Sequence, residues 1–509
     1  LNGNSCYSNR HFHCWFFKFS LSFIDQYLSG GFNQEPVSKP ELHLRGSSMN
    51  QRIAAIVSAL ALAAFIAGTS MDVFALMSQS AVKSEMELAA IQYFIDNAHP
   101  VSGQVRDRAE NFVTTPEWNR VSSVAATGFG FAVLANAAKR GLLDPKVAED
   151  KILRGLRFAR DHVPRRKGWF LHFVDWETGS RMWGSEYSTI DTAFFLAGAL
   201  YAAQIFPDSE IPKITREIYN QADFDDAMTD GGTRPQKRTL SMAYTDEEGY
   251  TPAQWDMYAE QKVLLILGLG HPTKPLPAEA WLAWDRSLQK ISMGREVMGL
   301  NAALFIHQYS QSFIDFRGFQ DGFANYHDNA RVLSDWHRRL AQNDRRYKTL
   351  VEGFWGFSAG ESPTGYRVWD ATNYQGTVCI GCTVASVMYD PRTILPDLTA
   401  WRKGPYRNQI WGRYGFVDSI DLEHNWYSSG VLGITVGPAY MALANLQEDE
   451  SIWKEFMAVP EIRRGLERAS EAGVVNATRK ANLGDRPAAP GRLPASTSGT
   501  DPVRAAQSD

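Results

Sequence analysis

Carboxylic acids and aromatic rings collect together in five short stretches of the sequence. The densest runs from Gly168 to Gly179 and resumes from Met182 to Ala193, offering His172, Asp175, Glu177, Glu186, Tyr187 and Asp191. A second, Gln254 to Gln261, carries Trp255, Tyr258 and Glu260 and leads straight into Val-Leu-Leu-Ile-Leu. A third, His307 to Gly318, holds His307, Asp315 and Arg317, and a fourth, Gly353 to Tyr366, alternates glycine with rings around Trp355, Glu361 and Tyr366. The fifth is Tyr414 to Asp421, with Asp418 inside it and Trp426 just beyond. Acids beside aromatics, without metal-ligand spacing, suit glycoside cleavage. One carboxylic acid protonates the leaving oxygen, a second carboxylate activates water or attacks, and ring faces hold sugars. The sequence has no His-Glu-x-x-His and no P-loop, so zinc hydrolysis and P-loop phosphate binding find no support.

Each of these residues also has a plainer reading. Glu186 could merely complement a helix dipole, and Asp191, one turn into the helix, could be a satisfied polar residue near a cap. Asp315 and Arg317 could pair with each other as scaffold. Glu260 is harder to explain that way. A charge at the edge of so apolar a helix is costly unless it is paired or opens on a cleft.

Helices must carry these stretches. Apolar residues recur at helical spacing through Leu88–Ile95 and Thr127–Arg140, the latter ending at Gly141. Asp144-Pro145 supplies a cap and a first-turn proline for the next helix, which runs toward His162. Further helices are expected over Ser188–Ile205, Ile211–Ala222, Thr251–Leu269, Ala278–Lys290, Ala302–Ile314, Tyr326–Gln342, Gly376–Tyr389 and Ser429–Leu446, then from Ile452. Ala-rich helices, apolar on most sides, alternate with amphipathic ones. The first kind belongs inside and the second outside with one face wet. About a dozen such helices suggest an all-α double ring, an (α/α)6 toroid; an irregular bundle is the alternative. The polar stretches then fall at helix ends and loops, where sites are built.

Composition agrees with one large core. Of the residues, 44% are hydrophobic and 12% aromatic, with a net charge of −4 and no basic block, which argues against nucleic-acid binding. The 15 Trp, 19 Tyr and 28 Phe fill a core or present rings to a flat ligand. Residues 1–48 do not read as folded protein. Met49-Asn-Gln-Arg52 and the uncharged run Ile53–Met71 look like a secretory signal within 49–80, with a membrane anchor as the alternative. The folded body is expected over 84–471 and a disordered tail over 473–509. A periplasmic or secreted location follows from either reading of the leader, and membrane association only from an uncleaved one. Cys379 and Cys382 lack both a second cysteine pair for zinc and the context of a redox motif. No metal or cofactor is expected.

The stretches Ala126-Thr-Gly-Phe-Gly130, Ser185-Glu-Tyr-Ser-Thr-Ile-Asp-Thr-Ala193, His307-Gln-Tyr-Ser310 and Asp315-Phe-Arg-Gly318 resemble the glucoamylase-like (glycoamylase) domain family. That family includes bacterial endo-β-1,2-glucanases and a segment of cyclic β-1,2-glucan synthases. Tyr258-Ala-Glu-Gln261, Tyr414-Gly-Phe416 and Ile452-Trp-Lys454 follow in the expected order, so the resemblance spans about 125–465. It implies an (α/α)6 barrel and an oligo- or polysaccharide substrate, a β-glucan that is β-1,2-linked in the characterised, inverting endo-glucanases. By motif position Glu186, Glu260 and Asp418 are the catalytic candidates, with acid and base unassigned. His172, Asp175, Tyr187, Asp191, Trp255, Tyr258, His307, Asp315, Arg317, Trp355, Tyr366 and Trp426 are substrate-binding candidates. Transglycosylation, another glucan linkage, or glycan binding without turnover are the alternatives. Cys379 and Cys382 depart from the small residues or proline expected there; a short disulfide between them, if formed outside the cytoplasm, would alter the loop above the cleft.

Overall fold

The structure is a computed structural model that describes residues 75–229, 238–447, 449 and 451–483. All of them fall in one unit, 73–509. The expected upstream segment 1–48, the apolar run Ile53–Met71 and positions 484–509 lie outside the described residues. No helix among the described residues is long and apolar enough to cross a membrane.

Among the described residues, six helical segments close an inner ring. They lie among the helices α1 (75–96), α2 (Val124–Lys139), α3 (Pro145–Asp161), α4 (Thr189–Ile205), α5 (Ile211–Tyr219), α6 (Lys262–Gly270), α7 (Leu304–Phe313), α8 (Tyr326–Asn343), α9 (Lys348–Val351), α10 (Ile380–Val384), α11 (Pro391–Lys403), α12 (Arg407–Ile410), α13 (Gly433–Ala444), α14 (Ile452–Ala458) and α15 (Pro460–Leu483). The ring runs α2, α4, α6, α7, α10 with its 3₁₀ continuation Ala385–Met388, and α13, each packed on the next and α13 back on α2. Every residue of α2 from Val124 to Ala138 is buried, and so is all of α6. The outer helices bury one stripe only; α3 sinks Ala148, Ile152, Gly155, Leu156 and Ala159. Such segregation is what removing apolar surface from water demands of two concentric layers. The helical toroid expected from the sequence is therefore the fold.

The predicted caps are present. Asp144 accepts from the amide of Lys146 with Pro145 in the first turn, and Gly141 closes α2 with φ +68°. Ser123 and Ser188 cap α2 and α4.

Several expected spans are corrected. Helix α6 begins only at Lys262, because 251–261 forms turns that hold the second acid–aromatic stretch. The segment 278–290 yields a 3₁₀ turn, Ala278–Leu282, and a two-residue strand, Gln289–Lys290, in place of a helix. The place beside α6 is taken by α15, which packs on both α6 and that turn. The same helix runs to Leu483, ten residues past the expected start of the tail. Helix α11 was not expected, since Pro391 and Pro396 disguise it. Residues 75–80, assigned to the leader, begin α1, whose span is 75–96. Short ribbons accompany the helices, pairing 108–110 with 430–432, 121–123 with 173–175 and 187–188 with 243–244.

The tightest approach in the ring is between α2 and α4. A Cβ on Gly198 would lie 1.8 Å from the carbonyl oxygen of Gly128, and one on Gly128 would lie 2.4 Å from the carbonyl oxygen of Phe194. Backbone opposes backbone there, so no side-chain rotation can make room. Gly198→Ala is expected to destabilise the protein by about 1–3 kcal/mol or more, read as a lower midpoint in urea unfolding.

Candidate active site

The inner helices begin at one end of the ring, and the polar stretches sit there. The ribbon 121–123/173–175 precedes α2, the loop 182–188 precedes α4, Glu260 precedes α6, Cys379 precedes α10, and 418–432 precede α13. Helix N-termini carry partial positive charge and free amides, so this end favours carboxylates.

One wall is built around His172. Its Nδ1 lies 3.0 Å from Glu186 Oε1 and its Nε2 lies 3.5 Å from Asp191 Oδ1. The backbone fixes the arrangement: the amide of His172 donates to the carbonyl of Glu186, and the amide of Val124 donates to the carbonyl of His172. Asp191 is further held by the hydroxyl of Ser188, the cap of its own helix. Burial disfavours a charged imidazole, but the charges of Asp191 and Glu186 outweigh it and raise the His172 pKa to about 9. His172 is thus an imidazolium at neutral pH. Burial also pushes Glu186 up, yet the hydrogen bond and charge of His172 win and hold it below its ordinary value. Burial keeps Asp191 above its own.

Glu260 faces the same space from the start of α6. It is deeply surrounded yet partly exposed, as a group on a cleft floor must be. Burial raises its pKa to about 7, against the opposing charge of Lys262, and Asp191 adds to the rise. Lys262 is itself pushed down to about 7 by burial. Its ammonium donates to the carbonyl of Ala259 and lies 4.2 Å from the centre of the Tyr258 ring.

The other wall carries Arg108 and Glu361, paired at 3.0 Å, with Arg108 also 3.0 Å from Asp107. The amide of Glu361 donates to Asp418 Oδ2 at 2.8 Å. Electrostatic coupling joins the walls: Asp107 acts on both His172 and Tyr366, and Tyr309 feels Glu260, Asp418 and Asp191. The structure therefore gathers His172, Glu186, Asp191, Glu260 and Tyr366. It adds Asp107, Arg108, Tyr309 and Glu361. Glu361 and Tyr309 lie inside stretches already singled out. Asp107 and Arg108 carried no aromatic neighbour in the sequence to mark them.

Other candidates are placed differently. Asp418 is fully buried, accepting from the amide of Glu361, Ser419 Oγ and Thr435 Oγ1, so in this conformation it holds the Glu361 loop rather than facing the cleft. Burial, then the charge of Glu361, raises it to about 6. Cys379 and Cys382 form a disulfide beneath it, buried at the start of α10 rather than in a loop above the cleft, with Cys379 Sγ 3.8 Å from Asp418. Asp175 is clamped by Arg120 and by the amides of Glu177 and Thr178. Trp255 is buried and braces α4 through Thr189, Tyr258 bonds His307 at 3.1 Å in the core, and Trp355 is buried against Asp397. Tyr187 is buried with its hydroxyl on Asp246, and Trp426 sits half-buried on the hairpin 420–427. Asp315 and Arg317 pair with each other at the opposite end, beyond the C-terminus of α7. There they line a pocket of about 570 Å³ with Asn445 and Trp453. These placements share one cause. Aromatic and acidic residues next to a helix start can turn inward as easily as toward the cleft, and only packing decides.

His172 tests the wall directly. A folded-state pKa of about 9, above the ordinary 6.5, gives stability that is complete below about 6.5 and lost as pH rises through about 9. The stability difference between wild type and His172→Gln should therefore shrink across that window in denaturation at a series of pH values. A difference that is flat with pH would refute the imidazolium.

Comparisons with known proteins agree with this fold. The glycoamylase family model matches residues 252–460. The chain is 22% identical over 440 residues to an exo-β-1,2-glucooligosaccharide sophorohydrolase (non-reducing end) of Parabacteroides distasonis, covering 77% of this chain and 58% of that protein. The chain thus spans little more than half the length of that curated relative. The crystal structure of an endo-β-1,2-glucanase from Chitinophaga pinensis, in complex with sophorotriose and glucose, aligns with a TM-score of 0.68 at 22% identity, over 77% of this chain and 98% of that one. A β-1,2-glucanase from Parabacteroides distasonis aligns at 0.69 and 20% identity, over 77% and 60%. Residues 252–460 are thus similar to the glycoamylase family, and the fold is shared with these solved structures.

Proposed function

We propose that this chain hydrolyses a β-glucan, β-1,2-linked, with Glu260 as general acid and Glu186 as the ionised carboxylate. The observation that carries the reading is the opposite displacement of two carboxyls at one helix-lined end. Burial keeps Glu260 protonated to about pH 7, while the His172 imidazolium keeps Glu186 charged. Two acids driven apart in this way are what acid–base cleavage needs. Glu260 gives its proton to the glycosidic oxygen as the C–O bond breaks. Glu186 takes a proton from the water whose oxygen bonds to the anomeric carbon. One product leaves with the transferred proton on its freed oxygen and the other with a new anomeric hydroxyl; exchange with solvent then removes the proton from Glu186 and restores one to Glu260.

The linkage is supported by the β-1,2-glucanase and sophorohydrolase descriptions of the relatives. Endo action is supported by extent, since the chain covers 98% of the Chitinophaga enzyme but 58% of the exo-acting relative. We place the reaction outside the cytoplasm. The Cys379–Cys382 disulfide suits an oxidising compartment, and the sequence from 49 reads as an export segment.

Four measurements test the reading. On β-1,2-, β-1,3- and β-1,4-glucans and starch, release of short saccharides of mixed length is expected from β-1,2-glucan alone. Binding without release would leave a glycan-binding protein, and longer products a transglycosylase. Glu260→Gln and Glu186→Gln should each cost roughly 10²–10⁴-fold in kcat without loss of fold. If Asp418→Asn has that effect and Glu186→Gln does not, the base lies on the other wall. Activity should fall as pH rises through about 7, where Glu260 loses its proton, and Glu260→Gln should abolish that limb. Inverted product anomers support direct attack by water; retention would make Glu186 a nucleophile.

A further inference from the structure

Trp183 is held in a backbone conformation that tryptophan does not favour. The amide of Ser185 donates to the carbonyl of Met182 at 3.0 Å, closing a four-residue turn. Both central residues have positive φ, +54° at Trp183 and +63° at Gly184. That is the signature of a type I′ turn, whose first central position is normally asparagine, aspartate or glycine. A bulky residue with φ in this region is an outlier that persists only where its surroundings enforce it.

Those surroundings are specific. The amide of Met182 donates to the carbonyl of Phe173, and Ser185 Oγ both donates to that carbonyl and accepts from the Phe173 amide. Both ends of the turn are thus fastened to one residue of the ribbon that carries His172. The rings continue the connection. Trp183 packs on Phe173 with ring centres 5.1 Å apart, and Phe173 stacks on the His172 imidazole at 3.8 Å. The turn ends one residue before Glu186.

All of that fastening delivers an indole to solvent. Trp183 is 48% exposed, whereas Trp169, Trp255 and Trp355 in the acid–aromatic stretches are 7% exposed or less. The fold leaves this apolar ring exposed and its backbone strained. An exposed ring kept rigid at low conformational cost is a good binding surface for an amphipathic ligand.

We propose that Trp183 is a sugar-binding platform at the rim of the cleft, stacking on the apolar face of a glucopyranose unit one or more units from the cleaved bond. This inference rests on the glycosidase reading and adds to it a residue that sets preference for chain length. A unit bound there contributes to long substrates and nothing to the shortest cleavable one.

The test is steady-state kinetics on β-1,2-glucooligosaccharides of increasing length, for wild type, Trp183→Ala, Trp183→Tyr and Trp183→Gly, with melting temperatures. Trp183→Ala should raise KM for long oligosaccharides about tenfold relative to short ones, with kcat nearly unchanged, and Trp183→Tyr should restore most of the loss. Trp183→Gly relieves the positive-φ strain, so it should melt no lower than wild type while losing the same affinity. An unchanged ratio of long-chain to short-chain KM in Trp183→Ala overturns the proposal. So does an equal loss at all lengths with a lowered melting temperature, which is a structural role. If wild type cleaves none of the four glucans, the functional reading fails separately. The platform is then judged by titrating indole fluorescence with the same glucans. A saturable change present in wild type and absent in Trp183→Ala supports it, and no change in wild type, or the same change in both, overturns it.

Discussion

The closed inner ring constrains everything else in this molecule. Its helices have no free face: α2 and α6 are buried along nearly their whole lengths, and the backbones of α2 and α4 meet at Gly128 and Gly198. A ring packed this tightly has no room for a polar site within its wall. Function is displaced to the ends of the helices, where backbone amides are free on one side and carbonyls on the other. The acids gather at the amide end, where the sign of the helix dipoles favours them.

Within that end, two environments separate acids of the same chemical type. Glu186 has a cation within hydrogen-bond distance. Glu260 has only a buried lysine that is itself reluctant to hold charge. The difference does not come from the carboxyl groups but from the segments that precede α4 and α6. One is a ribbon that presents His172; the other is a run of turns pressed against the apolar start of its helix. Asp418 shows a third outcome. Supplied with three donors and no solvent, it serves the loop of Glu361.

Much of this was legible in the residues. The inner helices announced themselves as apolar runs, and Asp144-Pro145, Gly141 and the stretch from Ser185 to Asp191 marked real boundaries. What failed had physical causes. The segment 278–290 has a helical pattern, but its neighbour is supplied by a helix nearly two hundred positions later, and no local signal carries that. The two prolines of α11 disguise a helix that packing sustains. At the site, the structure brings members of several stretches together and turns others away. Trp255, Tyr258, His307 and Trp355 are of the right type beside the right acids, yet they turn into the core. Asp315 and Arg317 follow α7 instead of preceding it, and that alone sends them to the far end.

The pairing of α6 with α15 also orders events in time. Helix α6, which begins just after Glu260, cannot be covered until Pro460–Leu483 has been made. At roughly 5–20 residues per second, about ten to forty seconds of synthesis separate the two. During that interval the nascent chain grows from three of its inner segments to all six, while α6, apolar beyond Lys262, lacks the cover of α15. Pro460–Leu483 is therefore the keystone that closes over α6, and the interval before it arrives leaves apolar surface open to aggregation.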